Sequence, residues 1–491
     1  MAIKSFPLIM ILILFISSFT MPLIKNNRII KSISFITNLV CLILSIFTFD
    51  YVKVHGDFKY RMGHFDAPWG IEFKVGAIEC LMAILFTCVC FFIIWYSMYS
   101  IEKNIKKMKI PFYYLLINIL LASFLGMVFT NDIFNAFVFI EVSTLASCGI
   151  IAVKDDKESI KATIKYIVLS SLGSGLVLLG IAFIYSITGN LNMEFISMEL
   201  SKHWTEYRKI VTLSIGLFVI GLGIKGAIFP LHIWMADAYS SAIDTTTALL
   251  AAIGAKAIVI LFIKILYRVF GYEIINEVKA LNLILFLGVL GMIMGSVFSI
   301  YQKNSKRVIA YSSVAQMGYI FLGIGLSSAF GLASAMFHII GHAFTKSALF
   351  LCIDSMRENT GDKICDLRGI GKEMPITLGL FSLGALSMVG IPILPGFLSK
   401  WNLSVASIQA DKIYIVTFIL VSSLLNIVYY SPIVINGYFG EENLKGKVYM
   451  SKEKNIKEII PIMMLIGMMV CVGLFSNYIM KILLTACEQI F

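Results

Sequence analysis

Five lysines, two histidines and one glutamate interrupt stretches of this chain that are otherwise apolar. Glu141 stands in Phe137-Val138-Phe139-Ile140-Glu141-Val142-Ser143, Lys225 closes Gly221-Leu222-Gly223-Ile224-Lys225, and Lys256 follows Ala252-Ile253-Gly254-Ala255. His338, His342 and Lys346 recur at i, i+4 and i+8, which puts them on one stripe of a helix. Lys400 ends Gly390-Ile391-Pro392-Ile393-Leu394-Pro395-Gly396-Phe397-Leu398-Ser399. A charge near the centre of a bilayer costs at least about 2.5 to 3.5 kcal/mol, so each needs a partner or a task. The task these types suit is proton transfer. A buried carboxylate and a buried ammonium each favour the neutral form, and closeness restores both charges. A Glu141–Lys225 pair that closes and opens would therefore take up and release a proton.

Other chemistries fit less well. Two histidines at i, i+4 could ligate a metal, but the glutamate of H-E-x-x-H is missing and no third ligand is evident, so no metal is expected. Titrating imidazoles between lysines suit a relay, and the bland alternative is a pair of histidines hydrogen-bonded between helices. Gly221 to Gly226 spells G-x-G-x-x-G without the preceding strand or the following acid of a dinucleotide site; glycine here reads as close packing or local unwinding, and no cofactor is expected. Lys264, near a helix end, reads as a snorkelling side chain. His232 and Asp237, just after Pro230, and Lys346 are secondary candidates; the first two could feed a half-channel or simply sit at the interface.

The elements that must hold these groups are membrane helices. Of 491 residues, 59% are hydrophobic and 14% charged, with a mean hydropathy of +0.89. Apolar runs long enough to cross a roughly 30 Å hydrocarbon core recur throughout. They place spans near 6–22, 31–49, 75–99, 110–129, 132–153, 162–187, 209–231, 242–269, 279–300, 306–327, 329–353, 375–400, 413–438 and 458–485. The fold class is thus an all-α polytopic membrane protein, a single membrane domain over 1–491 with no loop long enough for a soluble domain. The net charge of +11 is scattered through short loops and forms no nucleic-acid face. Alternate loops carry Lys25, Arg28 and Lys31; Lys103 to Lys109; Lys154 to Lys161; Lys303 to Arg307; Arg357 to Lys372; and Lys445, Lys447, Lys452 and Lys454. By the positive-inside rule these face the cytoplasm of a bacterial or archaeal inner membrane, and both termini lie outside. The nine cysteines include no C-x-x-C pair and suggest neither a disulfide framework nor an iron–sulfur cluster. The two Gly/Pro-broken segments ending at Lys225–Pro230 and at Lys400 are the kind of paired interruption that marks repeated transporter architecture.

Four ordered motifs carry a resemblance: Asn135-Ala136-Phe137-Val138-Phe139-Ile140-Glu141; Lys225-Gly226-Ala227-Ile228-Phe229-Pro230-Leu231-His232-Ile233-Trp234; Lys306-Arg307-Val308-Ile309-Ala310-Tyr311-Ser312-Ser313; and Gly390-Ile391-Pro392 through Gly396-Phe397-Leu398-Ser399-Lys400. Over about residues 75 to 440 the chain resembles the antiporter-like subunits shared by respiratory complex I, Mrp-type cation/proton antiporters and membrane-bound energy-converting hydrogenases. The resemblance implies fourteen helices, with helices 4–8 (110–269) and 9–13 (279–438) as inverted five-helix repeats and helices 7 and 12 broken. It implies that Glu141, Lys225, Lys256, His338, His342 and Lys400 carry protons. A lysine at 400 is similar to the Mrp D and complex I N or L types, and no long lateral helix of the L type follows. The implied partners are other membrane subunits of one complex, H⁺ with Na⁺ or K⁺, and lipid. The alternative is a pumping subunit of a redox complex that itself holds no flavin, nicotinamide or iron–sulfur site. The chain departs from the family pattern at Ser240-Ser241-Ala242-Ile243-Asp244-Thr245-Thr246-Thr247-Ala248, where prolines usually open helix 8, at Asn304-Ser305, and at Gly341.

Overall fold

The computed structural model describes residues 2–440 and 453–491. Twelve helices among them are long and apolar enough to cross a membrane, from Ile3–Leu23 to Ile456–Leu474. Helix is what such sequence must form, because hydrocarbon offers no partner for a free backbone N–H or C=O. Three helices are almost wholly enclosed by the others: Asp244–Glu277, Ser305–Gly325 and Ala329–Glu358. These central pillars carry Lys256 and the histidine stripe. Lys157–Thr188 and Asn27–His55 keep wide apolar faces outward.

Two further helices are interrupted, as expected from their glycines and prolines. Arg208–Lys225 ends at Lys225, a turn runs through Gly226 to His232, and Ile233–Ser241 resumes. Pro375–Val389 ends at Gly390, whose φ of +103° is open to glycine at little cost, and Pro395 starts the second half in the first turn of Pro395–Gln409. Close packing explains glycine elsewhere: a Cβ on Gly221 would lie 2.6 Å from the Gly173 carbonyl oxygen of the neighbouring helix.

Three features differ from the sequence reading. The loop Asp50 to Lys74 holds an antiparallel hairpin, Phe58–Arg61 with Glu72–Val75, pairing Phe58 with Val75 and Arg61 with Glu72. The span expected at 458–485 breaks at Phe475 into Ile456–Leu474 and Ser476–Glu488. The span expected at 242–269 runs on to Glu277 and widens to π geometry at Leu250–Gly254 and Ile265–Phe270.

The basic loops converge on one face. Lys103 and Lys454 both pair with Glu358, at 2.9 and 2.7 Å, and Lys109 pairs with Asp155 at 2.8 Å. Lys445, Lys447 and Lys452 lie outside the described residues. The hairpin marks the opposite face, where Phe491 packs its ring on Tyr267 and Tyr272 and the N-terminal turn Ala2–Ser5 meets the first strand.

Candidate functional site

Glu141 is the ninth residue of Ile133–Ala152, a helix capped by Asp132, whose carboxylate accepts from the Asn135 backbone N–H at 2.7 Å. One turn further on, Thr144 faces the same neighbour. The Lys225 ammonium, buried at the end of its half-helix, donates to Thr144 Oγ1 at 2.6 Å and lies 3.9 Å from Glu141 Oε1. That carboxylate oxygen is buried and accepts no hydrogen bond among the described residues. The pair is thus in ion-pair contact but not tightly closed. The Trp234 indole N–H donates to the Ile224 carbonyl at 2.7 Å, pinning the resumed helix against the end of the first half.

From Lys225 a cavity of about 30 Å³, large enough for water, passes Tyr166, Trp234 and Tyr239 to Gly254 and Ala255. These last two adjoin Lys256. The π turn Leu250–Gly254 explains how a lysine is held there. Widening the helix to i→i+5 spacing frees carbonyls from the ladder, and Leu250 O accepts the Tyr239 hydroxyl at 3.0 Å while Ala251 O accepts the Lys256 ammonium.

Across the central interface Lys256 is within electrostatic range of His338, His342 and Lys346. The two imidazoles stack, with centroids 5.8 Å apart and planes 13° from parallel. His338 Nδ1 is bonded to Ser399 Oγ at 2.9 Å, next to Lys400 in sequence. His338 Nε2 and both His342 nitrogens are buried without hydrogen-bond partners among the described residues. Lys346 donates to the Ile309 carbonyl at 2.9 Å, to Ser312 Oγ and to Tyr430 Oη at 3.3 Å. Lys400 donates back across its break to the Met388 and Val389 carbonyls, at 2.7 and 3.1 Å, and lies 5.2 Å from the Tyr319 ring centre.

The structure therefore brings Glu141, Lys225, Lys256, His342, His338 and Lys400 into one row at membrane depth, with Lys346 at its side. His232 and Asp237 stand apart from it. His232 is buried between the Phe229 and Phe298 rings, and Asp237 is half-buried at the basic face, bridging Lys165 at 2.6 Å and Arg307 at 3.1 Å. Lys264 is fully enclosed and donates to the Val128 and Thr130 carbonyls, closing the end of another helix rather than snorkelling. Sequence reasoning did not single out Thr144 or Ser399, nor the buried Glu79–Arg268 pair at 2.7 Å. Their signal was faint: a lone hydroxyl is common in membrane helices, and Glu79 and Arg268 lie at helix ends where charge is cheap.

A buried row of titratable groups strung between two broken helices defines a class of ion-conducting membrane subunit. The chain belongs to the NADH:quinone oxidoreductase/Mrp antiporter transmembrane family, which it matches over residues 130–426. It is 35% identical over 385 residues to NADH-quinone oxidoreductase subunit N of Desulforudis audaxviator, covering 77% of this chain and 75% of that one. It is 28% identical to the D-type subunit of the Na⁺/H⁺ antiporter of Alkalihalophilus pseudofirmus, covering 97% and 94%. Among solved structures, a chain of the membrane-bound sulfane sulfur reductase, an archaeal respiratory membrane complex, superimposes with a TM-score of 0.89 at 27% identity, covering 99% and 97%. A chain of the Mrp complex from Dietzia sp. superimposes equally well at 21% identity, covering 100% and 98%, and shows the shared fold.

Proposed function

We propose that this chain is a proton-translocating, Mrp D-like subunit of a multi-subunit monovalent cation/proton antiporter, exchanging H⁺ for Na⁺ in a bacterial or archaeal cell membrane with both termini outside. The row from Glu141 to Lys400 carries the reading. Its members alternate between groups held by side chains and groups held by freed backbone carbonyls, and protons pass among them through hydroxyls and bridging water. Glu141 and Lys225 form the switch, Lys256 connects the halves, His342 and His338 relay, and Lys400 is the terminal group. The twelve uninterrupted spans with the two broken ones give fourteen passages, grouped as inverted repeats over 110–269 and 279–438.

Partner subunits follow from the surface around Glu141. Phe134, Val138, Glu141 and Leu145 share one outward face of their helix, and the Glu141 side chain is 34% exposed. A carboxylate open to lipid at that depth is costly, so another membrane subunit covers this face.

The decisive measurement uses everted vesicles bearing the complete complex. Lys225→Ala should abolish cation-dependent pH changes while the complex still assembles; undiminished activity would sink the mechanism. A second reading has its own support in the 35% identity to a quinone oxidoreductase subunit: the chain pumps protons for a redox complex. Identifying the copurifying subunits separates the two. Small membrane subunits alone favour the antiporter, and metal-cluster subunits favour the redox complex.

A further inference from the structure

The central row is buried, and something must connect it to the basic face. The stripe of His338, His342 and Lys346 continues in register to Asp354, a further two helical turns along the same helix. Asp354 is almost fully buried, yet it lines a cavity of about 180 Å³ that opens among the basic loops. It accepts the Tyr96 hydroxyl at 2.8 Å. It is also within hydrogen-bond reach of Asp244, the first residue of the short helix Asp244–Leu249. Asp244 is in turn paired with Lys306 at 2.8 Å and Arg357 at 3.5 Å.

Hydroxyls lead inward from this pair of carboxyls. Tyr113, within electrostatic range of Asp354, donates to Thr245 Oγ1 at 2.6 Å. Thr246 Oγ1 is buried and has no hydrogen-bond partner among the described residues. Thr247 Oγ1 donates to the Tyr239 carbonyl at 2.8 Å, and Tyr239 lines the small cavity beside Lys225. The segment that supplies Asp244 and the three threonines is the one in which this chain departs from its family's proline-rich pattern. The departure replaces groups that cannot pass a proton with groups that can.

We propose that Asp354, facing Asp244 at the floor of the basic-face cavity, is the port through which protons exchange between that face and the buried row, by way of Tyr113 and Thr245 to Thr247. Each step is a proton transfer between oxygens and no covalent bond forms. The inference rests on the proton-transport reading above. The charges facing Asp354 from every side are Asp244, Lys306, Arg357, Glu358 and Lys454, with Tyr96 and Tyr113 as the titratable hydroxyls.

The test measures cation-driven pH changes in everted vesicles carrying the whole complex, over a series of external pH values. Asp354→Asn should cut the initial rate at least about tenfold and remove one titrating limb of the pH–rate profile, and Asp354→Glu should restore both. Thr246→Val should slow transport by about threefold with the complex intact. An assembled Asp354→Asn complex with unchanged rate and profile overturns the port. So does a loss that is equal at every pH and that glutamate does not repair, which would mark a structural role. If Asp354→Asn fails to assemble, Thr246→Val decides: a reduced rate supports the route and an unchanged rate overturns it. Transport surviving in Lys225→Ala defeats the underlying reading, whereas Lys225-dependent transport indifferent to Asp354 and Thr246 defeats only the port.

Discussion

The two broken helices use similar residues to opposite effect. At each, a lysine ammonium sits where the first half-helix ends, in the negative field of its terminal carbonyls. Lys225 is there because it is the last residue of its half, and Lys400 because its side chain reaches back over the break to Met388 and Val389. The partners differ more than the positions. Lys225 has a threonine hydroxyl and, 3.9 Å off, a carboxylate. Lys400 has backbone carbonyls and an aromatic ring, and no acid within ion-pair distance among the described residues. One lysine faces a group that can change its own charge, and the other faces a field that is fixed. The first site is built to switch and the second to hold.

The contrast can be broken most violently through glycine. A Cβ on Gly396 would lie 1.7 Å from the Ser387 carbonyl oxygen, across the second break, whereas one on Gly226 would meet Leu222 O at 3.1 Å and the tip of the Phe321 ring at 3.3 Å. Gly396→Ala should therefore destabilise by about 3 kcal/mol or more, and Gly226→Ala by about 1 kcal/mol or less. Thermal unfolding of the detergent-purified complexes measures both, and equal losses would refute the asymmetry. Next in size is Glu141→Gln, which removes the switching partner of Lys225 alone and should slow cation-driven proton movement about tenfold. Flux in vesicles unaltered by that change would mean the two lysines work alike. The smallest effect lies in water, at the hairpin face. Burial raises the Glu194 carboxyl, but Lys59 and Lys74 outweigh it and hold the group below its ordinary range. Such a pair stabilises above the carboxyl's unfolded value and stops doing so as pH falls through the folded one. Glu194→Gln should lower the unfolding temperature slightly at neutral pH, by less than about 1 kcal/mol of stability, with the gap closing on acidification. A gap that persists in acid would show that packing, not charge, is involved.

Much of this architecture was legible because membrane sequence is severe about charge. Glu141, Lys225, Lys256, the histidine stripe and Lys400 stood out against apolar neighbours, and the structure gathers them into one row. Gly390 and Pro395 announced the second break just as clearly. What could not be read was how backbone would satisfy these groups. The π turn beneath Lys256 has no residue signature, since Leu250-Ala251-Ala252-Ile253-Gly254 would suit a regular helix equally well. Lys264 looked like a snorkelling end because its acceptors, Val128 O and Thr130 O, belong to a segment more than a hundred residues away in sequence. The hairpin between Phe58 and Val75 was hidden for a related reason. Its strands are four residues each, too short for a period to show against the charged residues around them.

The π turn carries one more consequence. It amounts to a single extra residue accommodated in a helix that does not otherwise break, so the angular phase of everything beyond it depends on that residue being there. Deleting Ala252 would let Asp244–Glu277 close into regular α-helix and would turn Lys256 by about 100° about the axis. The lysine would then point away from the histidines although no neighbour had changed identity. Alignment of the two halves of the proton row is, in this sense, a matter of counting.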